Sequence, residues 1–185
     1  TDDLVQILGL VYGLFPECER VTCYASPTSL QIKTEADLCL LREKGLTIGT
    51  AESCTGGGIG ATLTGVAGSS SVYKGGIISY TNWVKHHVLG VPQTLLDTVG
   101  AVSAPVAEAM AAGARRVLEA DIAVSVTGLA GPGGDEFGHP VGTVFIGYKD
   151  SRTSKVIYCQ FSGSREEIRT QTIEAALRLI LDNNK

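Results

Sequence analysis

The sequence has no surplus of positive charge. Its 15 Lys and Arg residues are outnumbered by 19 Asp and Glu residues, so the formal net charge is −4 at pH 7. Proteins that bind nucleic acid usually carry a basic surplus, because they must face the phosphate backbone. We therefore expect no nucleic-acid partner.

Long apolar runs and a basic leader are missing as well. No segment approaches the roughly 18 consecutive apolar residues of a membrane span, and Thr1-Asp2-Asp3 carries none of the positive charge that begins a secretory signal. The five cysteines are an odd number without CxxC spacing, which disfavours disulfides and a zinc site. We expect a cytoplasmic protein with no membrane segment and no metal.

What the sequence does have is an alternation of helix and strand patterns. Hydrophobic residues make up 44% of the 185 residues and charged residues 18%, which is typical of a folded domain with its own core. Helices between the first three strands imply right-handed crossovers and a largely parallel sheet covered on both faces, and a closing hairpin makes that sheet mixed. Strands are predicted at 46–50, 72–80, 121–127, 141–148 and 155–161, and helices at 1–14, 34–45, 59–63, 82–89, 92–99, 103–118 and from 164 onward. Gly45 is predicted to follow the end of the helix at 34–45, Asn82 to cap the helix at 82–89, and Ser164 with Glu167 to form a capping box at the start of the last helix.

The stretch Thr50-Ala51-Glu52-Ser53-Cys54-Thr55-Gly56-Gly57-Gly58 reads as strand, tight turn and helix. Such a turn presents free backbone N–H groups at the positive end of a helix. From the residues alone, it either grips an anion or holds Ser53 as a nucleophile, and Ser53 as a plain helix cap fits equally well. Cys54 is an alternative nucleophile, because a thiol at a helix N-terminus is acidified.

A second glycine-rich loop, residues 128–134, follows another predicted strand. Its N–H groups can form an anion nest, and Arg165 at the start of the last helix can clamp a phosphate. The alternatives are a plain connection for the loop and a surface ion pair for Arg165. In parallel sheets the carboxyl ends of the strands share one edge, so both glycine-rich loops are expected there.

A series of motifs resembles the C-terminal domain family of the competence/damage-inducible protein CinA, which includes stand-alone nicotinamide mononucleotide deamidases. The resemblance covers about residues 34–182. We therefore divide the chain into a CinA C-terminal-like amidohydrolase domain, 33–185, and an N-terminal extension, 1–32, interpreted as peripheral or as an oligomer contact. The matching segments are Ala51-Glu52-Ser53-Cys54-Thr55-Gly56-Gly57, then 65–70, 75–82 with Lys85, 89–91, 100–103, 112–115, 127–134 and 140–144.

The resemblance implies hydrolysis of the carboxamide of nicotinamide mononucleotide to nicotinic acid mononucleotide and ammonia. It further implies a three-layer α/β/α sandwich, the stand-alone form without the molybdopterin-binding-like domain of longer members, and no metal or organic cofactor. An alanine-rich helix at 103–118 favours a homo-oligomer. The alternative function is a non-catalytic nucleotide-binding or regulatory module of the same type.

The family match also implies site roles. Ser53 becomes the nucleophile and Lys85 its base, because a desolvated lysine loses basicity and can take the serine proton. Tyr80 would relay a proton or orient Lys85, and Thr127 would bond the substrate amide or the lysine, although both also suit purely structural roles. Substrate-binding residues are expected in the two glycine-rich turns and the last helix: Thr55, Gly56, Gly57, Gly131, Gly133, Gly134 and Arg165.

Overall fold

The computed structural model describes residues 38–184. The helix predicted at 1–14, the extension 1–32 and the first residues of the helix predicted at 34–45 lie outside this range. The described chain begins in helix, through residue 43, and Gly45 follows with a φ of 64°, the left-handed conformation expected after a helix end.

Five strands and five further helices follow. The strands are β1 (Ile48–Glu52), β2 (Tyr73–Ile78), β3 (Ile122–Gly128), β4 (Thr143–Lys149) and β5 (Ser154–Gln160). The helices are α1 (Gly58–Thr64), α2 (Asn82–His87), α3 (Gln93–Thr98), α4 (Ala104–Val117) and α5 (Arg165–Asn184), with a short 3₁₀ turn at Ser69–Ser71 before β2.

The strands form one mixed sheet in the order β2-β1-β3-β4-β5. β1 pairs in parallel with β2 and β3, whereas β4 runs antiparallel to both β3 and β5. Four strands therefore point one way and only β4 opposes them, which confirms the predicted mixed, mainly parallel sheet. β1 and nearly all of β3 are buried, as expected of central strands covered on both faces.

Helices cover both faces of this sheet, which confirms the three-layer α/β/α sandwich. On one face α4 packs on β3, β4 and β1 around a cluster that includes Leu89, Val106 and Met110. On the other face α1 and α5 bury a larger cluster that includes Ile59 and Ile180. No helix between residues 38 and 184 is long and apolar enough to cross a membrane.

Several element ends differ from the sequence-based expectation. β1 runs two residues beyond Thr50, because the buried Glu52 carboxylate is satisfied by hydrogen bonds. β2 is shorter than predicted at both ends. The prediction that Asn82 caps α2 is wrong: Thr81 is the N-cap, and its hydroxyl accepts from Val84 N at 3.4 Å.

Candidate active site

The carboxyl ends of β1, β2 and β3 meet at one edge of the sheet and surround a pocket of about 250 Å³. Ser53 follows β1, Tyr80 follows β2, and Thr127 lies at the end of β3. α2 and the start of α5 close the sides. The lining residues are Ser53, Cys54, Tyr80, Asn82, Lys85, Ala101, Val102, Thr127, Gly128, Leu129, Ala130, Gly131, Gly133 and Arg165.

The turn after β1 holds Ser53 in a fixed position. Ser53 N donates to Val126 O at 3.1 Å, which continues the sheet pairing, and Gly56 N donates back to Ser53 O at 3.1 Å. Gly56 and Gly57 have φ values of 60° and 96°, a conformation that other residues adopt only with strain. The chain can therefore reverse directly behind Ser53 and enter α1.

The carboxylate of Glu52 ties β1 to the start of α1. It is only 1% exposed, and its Oε2 accepts from Thr55 Oγ1 at 2.7 Å and from Ile59 N at 3.0 Å. Its Oε1 accepts from Gly60 N at 2.8 Å and from Thr50 Oγ1 at 3.3 Å. A carboxylate at a helix N-terminus satisfies N–H groups that the helix leaves unpaired, so Glu52 orients the backbone of the turn and of the start of α1.

Lys85 enters the pocket from α2 and reaches the Ser53 hydroxyl. Its side chain is 1% exposed, and Nζ lies 3.1 Å from Ser53 Oγ and donates to Ser79 O at 2.6 Å. Burial lowers the pKa of Lys85 from its ordinary 10.5 to about 8. A lysine that readily becomes neutral is thus in hydrogen-bond contact with a serine, which is the geometry of an activated nucleophile.

Cys54 also borders the pocket, but burial suppresses its reactivity. Burial raises the pKa of its thiol to about 11, despite the nearby positive charge of Lys85. Reactive cysteines are thiolates near neutral pH, so Cys54 behaves as a small apolar residue of the core. Cys39, Cys54 and Cys159 are all free thiols.

Arg165 connects two sides of the pocket mouth. Nη1 donates to Gly131 O at 2.5 Å, and Nη2 donates to Tyr80 OH at 3.2 Å. Tyr80 is 60% exposed and bonds to Arg165, while Lys85 is held by Ser79 O, so the lysine is oriented by that carbonyl. The capping box predicted at the start of α5 is confirmed, with Ser164 N donating to Glu167 Oε2 and Glu167 N donating to Ser164 Oγ.

The other predicted site residues divide between the pocket and the scaffold. Thr127 lines the pocket, with its hydroxyl donated to Ala101 O at 2.7 Å, and Gly131 and Gly133 line it as well. Thr55 is fully buried and its hydroxyl is donated to Glu52, which removes it from contact with a ligand. Gly56, Gly57 and Gly134 lie outside the lining; the first two shape the Ser53 turn.

Sequence reasoning did not identify Arg169, which supports this turn from behind. Arg169 Nη2, on α5, donates to Thr55 O at 2.8 Å. The sequence does carry a signal for this role: Arg169 comes four residues after Arg165, and residues four apart lie on the same face of a helix. α5 therefore contacts the pocket through Arg165 and the turn after β1 through Arg169.

The histidines stand apart from the serine. His87 is exposed and stacks on Trp83, with ring centroids 4.5 Å apart, and His86 Nδ1 bonds to Val91 O at 2.8 Å. His139 Nδ1 bonds to Asp135 Oδ2 at 2.8 Å, at the tip of the loop before β4. Among residues 38–184, no three His, Cys, Asp or Glu side chains are grouped as metal ligands would be.

Comparison with known proteins gives a family match over most of the chain. The model of the family described as CinA C-terminal domain matches residues 31–183. Relatives named CinA-like protein from Geobacter sulfurreducens and Synechococcus sp. are 51% identical over 138 residues and 58% identical over 106 residues. These matches cover 75% and 57% of this chain but 33% and 25% of the relatives, so the chain spans about a third of the length of such relatives or less.

Solved structures resemble the whole fold. The competence/damage inducible protein CihA from Agrobacterium tumefaciens has a TM-score of 0.83 and 36% identity, over 89% of this chain and 100% of that one. A CinA superfamily protein from Klebsiella pneumoniae has a TM-score of 0.82 and 30% identity, over 84% of this chain and 97% of that one. The names of all four proteins give a family and no reaction.

Proposed function

The chain belongs to the CinA C-terminal domain family, and on this basis we propose that it hydrolyses the carboxamide of nicotinamide mononucleotide to nicotinic acid mononucleotide and ammonia. The observation that carries the proposal is the 3.1 Å contact between Lys85 Nζ and Ser53 Oγ at the floor of the pocket. A module that only binds a nucleotide has no use for a buried lysine of lowered pKa beside a serine hydroxyl. Pyridine nucleotide recycling is the corresponding role.

In the first half-reaction neutral Lys85 takes the proton of Ser53 Oγ while that oxygen attacks the carboxamide carbon. The C=O bond opens to an oxyanion, for which the N–H of Cys54, next to the nucleophile, is the donor we propose. Ser79 O stays hydrogen-bonded to Nζ through the transfer and stabilises the ammonium that forms. Lys85 then returns the proton to the leaving nitrogen, the C–N bond breaks, and ammonia departs from an acyl-serine.

In the second half-reaction a water molecule takes the place of ammonia. Lys85 removes one of its protons as the water oxygen attacks the acyl carbon, and the same proton goes to Ser53 Oγ when the ester bond breaks. The product is the carboxylic acid, and both residues return to their starting states. One lysine therefore serves as base and acid in turn, so the mechanism needs no histidine.

Charge at the pocket suits a phosphorylated substrate. Lys85 and Arg165 are its charged lining residues, and no carboxylate lines it, although the chain as a whole is acidic. Arg165 holds Gly131 O and Tyr80 OH at the mouth, where a phosphate would compete for its guanidinium. We propose that the phosphate binds between Arg165 and the loop containing Gly131 and Gly133.

The test of the activity is ammonia release by purified protein at micromolar concentration. We expect release from nicotinamide mononucleotide, less from nicotinamide riboside, and least from free nicotinamide. Heat-denatured protein is the control. If ammonia forms from none of the three although the mononucleotide binds, the chain is instead a nucleotide-binding or regulatory module.

Arg165→Ala tests phosphate recognition. We expect KM for the mononucleotide to rise about tenfold or more while kcat changes little, because contacts to a distant phosphate contribute equally to ground state and transition state. The comparison of both constants between variant and wild type measures this, and Arg152→Ala, in the turn between β4 and β5, is the control. An unchanged KM would place the phosphate elsewhere.

We propose a cytoplasmic homo-oligomer that binds neither nucleic acid nor membrane. Sedimentation velocity of the purified chain, with and without the mononucleotide, measures the oligomeric state.

A further inference from the structure

Asn82 is a pocket residue that the fold leaves free. It is the first residue of α2, directly after the N-cap position whose side chain accepts from the helix N–H groups. Thr81 fills that role instead, accepting from Val84 N. The Asn82 amide therefore has no hydrogen-bond partner among residues 38–184 and borders the pocket.

Helix geometry places Asn82 beside the reacting centre. Lys85 follows it by three residues on the same helix, and residues three apart share a face with Cβ atoms about 5–6 Å apart. Lys85 extends from that face to Ser53 Oγ. Asn82 and Lys85 therefore border the pocket from the same helix, one turn apart.

The polar side chains around Asn82 are already committed. Ser53 and Lys85 bond to each other, Thr127 donates to Ala101 O, and Arg165 donates to Gly131 O and Tyr80 OH. Arginine offers only donors, and the lone pair of neutral Lys85 is taken up by the serine proton in the proposed reaction, whereas an asparagine offers one carbonyl acceptor and an NH₂ donor. A substrate carboxamide also has one carbonyl acceptor and one NH₂ donor, so each group of Asn82 can pair with the opposite group of the carboxamide that the proposed reaction cleaves.

We propose that Asn82 recognises the substrate carboxamide, with Oδ1 accepting from its NH₂ group and so turning the nitrogen lone pair toward Lys85. This inference rests on the proposed function and adds a residue that selects amides over esters. An ester has no N–H to donate, so the contact with Oδ1 is lost. An enzyme whose serine and lysine alone decided the reaction would favour the ester, which has the better leaving group.

The test compares amide and ester hydrolysis in wild type and variants. The substrates are nicotinamide mononucleotide and the methyl ester of nicotinic acid mononucleotide, with kcat/KM measured for each. In Asn82→Leu, which keeps the size and removes the hydrogen bond, we expect amide hydrolysis to fall about tenfold, the effect of roughly one hydrogen bond. Ester hydrolysis should stay within about twofold. His87→Leu, on the same helix but outside the pocket, should change neither.

Asn82→Asp separates the acceptor from the donor. It retains an oxygen acceptor and suits a helix N-terminus, so the variant should fold. We expect it to keep more of the amide preference than Asn82→Leu, and to shift the pH profile of kcat/KM upward because a carboxylate faces Lys85 from one turn away. Circular dichroism confirms the fold of both variants.

The outcomes are distinct. A selective loss of amide hydrolysis in Asn82→Leu, partly spared in Asn82→Asp, supports the inference. Equal losses for amide and ester, no loss for either, or the same loss in both variants would overturn it. Wild-type protein that cleaves neither substrate refutes the proposed function itself, and the inference with it.

Discussion

Ser53 and Cys54 are neighbours in sequence, yet the fold separates them chemically. The serine faces the pocket beside Lys85, whereas burial raises the pKa of the cysteine thiol to about 11. We expect Ser53→Ala to reduce ammonia release by several orders of magnitude and Cys54→Ala to leave it within about threefold, since only the first removes the attacking atom. If the two variants behaved the other way round, the nucleophile would be misassigned.

The pH dependence of the reaction follows from Lys85. In the proposed mechanism its neutral form takes the serine proton, and burial lowers its pKa to about 8. We therefore expect kcat/KM to increase with pH and level off above an inflection near 8. Lys85→Arg, which stays protonated throughout, should be inactive at every pH. A rate that declines as pH rises through 8 would mean that the protonated lysine is required.

At this scale the sequence predicts the residue types but not all of their contacts. The motif match pairs Ser53 with Lys85, and the structure brings these two side chains together. The motif match does not reveal that Tyr80 bonds to Arg165, or that the Ser79 carbonyl accepts from Lys85; the structure shows both contacts. Those contacts join segments distant in sequence or use backbone atoms, which leave no residue signature.

Among the elements, β1, the Ser53 turn and α1 form one unit joined by Glu52. In Glu52→Gln the side-chain NH₂ must face Ile59 N or Gly60 N, so that one donor meets another in a buried site. We expect a loss of about 1–3 kcal/mol in the free energy of unfolding, measured in urea. We also expect a lower kcat, because the turn loosens.

Glu108→Gln is the matched control. Glu108 is exposed on α4 and accepts from Ser154 Oγ at 2.6 Å, a bond that glutamine can also accept. Its stability should stay close to that of wild type. If Glu52→Gln were equally harmless, the carboxylate would not be holding the turn.

Element ends expose the limits of pattern reasoning. The sequence pattern ends the strand before Glu52, because charged side chains are almost never fully buried unless they are paired. The partners that satisfy the Glu52 carboxylate become visible only in the structure. Thr81 and Asn82 both suit an N-cap, and the sequence cannot say which backbone is extended and which helical. Gly45 and the pair Ser164 and Glu167 were predicted correctly, because each signal is complete within a few residues.

For the molecule as a whole, the buried lysine is destabilising. Its pKa of about 8 in the folded state lies below the ordinary 10.5, so the unfolded chain binds the proton more tightly. The contribution of Lys85 to the free energy of unfolding therefore rises with pH between about 8 and 10.5, and its full penalty applies below 8.

Lys85→Met removes this penalty and the activity together. We expect the variant to be inactive but more stable than wild type at pH 7, with the gain shrinking toward pH 10. Urea unfolding at a series of pH values measures this, and Lys155→Met, on the exposed part of β5, serves as control. A variant less stable than wild type at pH 7 would show that the hydrogen bonds of Lys85 outweigh its desolvation.

The architecture was the most predictable level. Strands separated by helices leave few arrangements, and the helices at 82–89, 92–99 and 103–118 supply the crossover before β3. The position of the pocket follows, because parallel strands end at one edge. Which loops line it was harder to foresee: residues 56 and 57 bend the chain, while Gly131 and Gly133 face the cavity.

The stack of Trp83 on His87 makes α2 optically distinct. The chain contains a single tryptophan, so all indole fluorescence originates next to Asn82 and two residues before Lys85. Because Trp83 is already 63% exposed, unfolding changes its contact with water little. We expect its emission to respond instead to a pyridinium ring that enters the neighbouring pocket, so binding of the proposed substrate can be followed without a label.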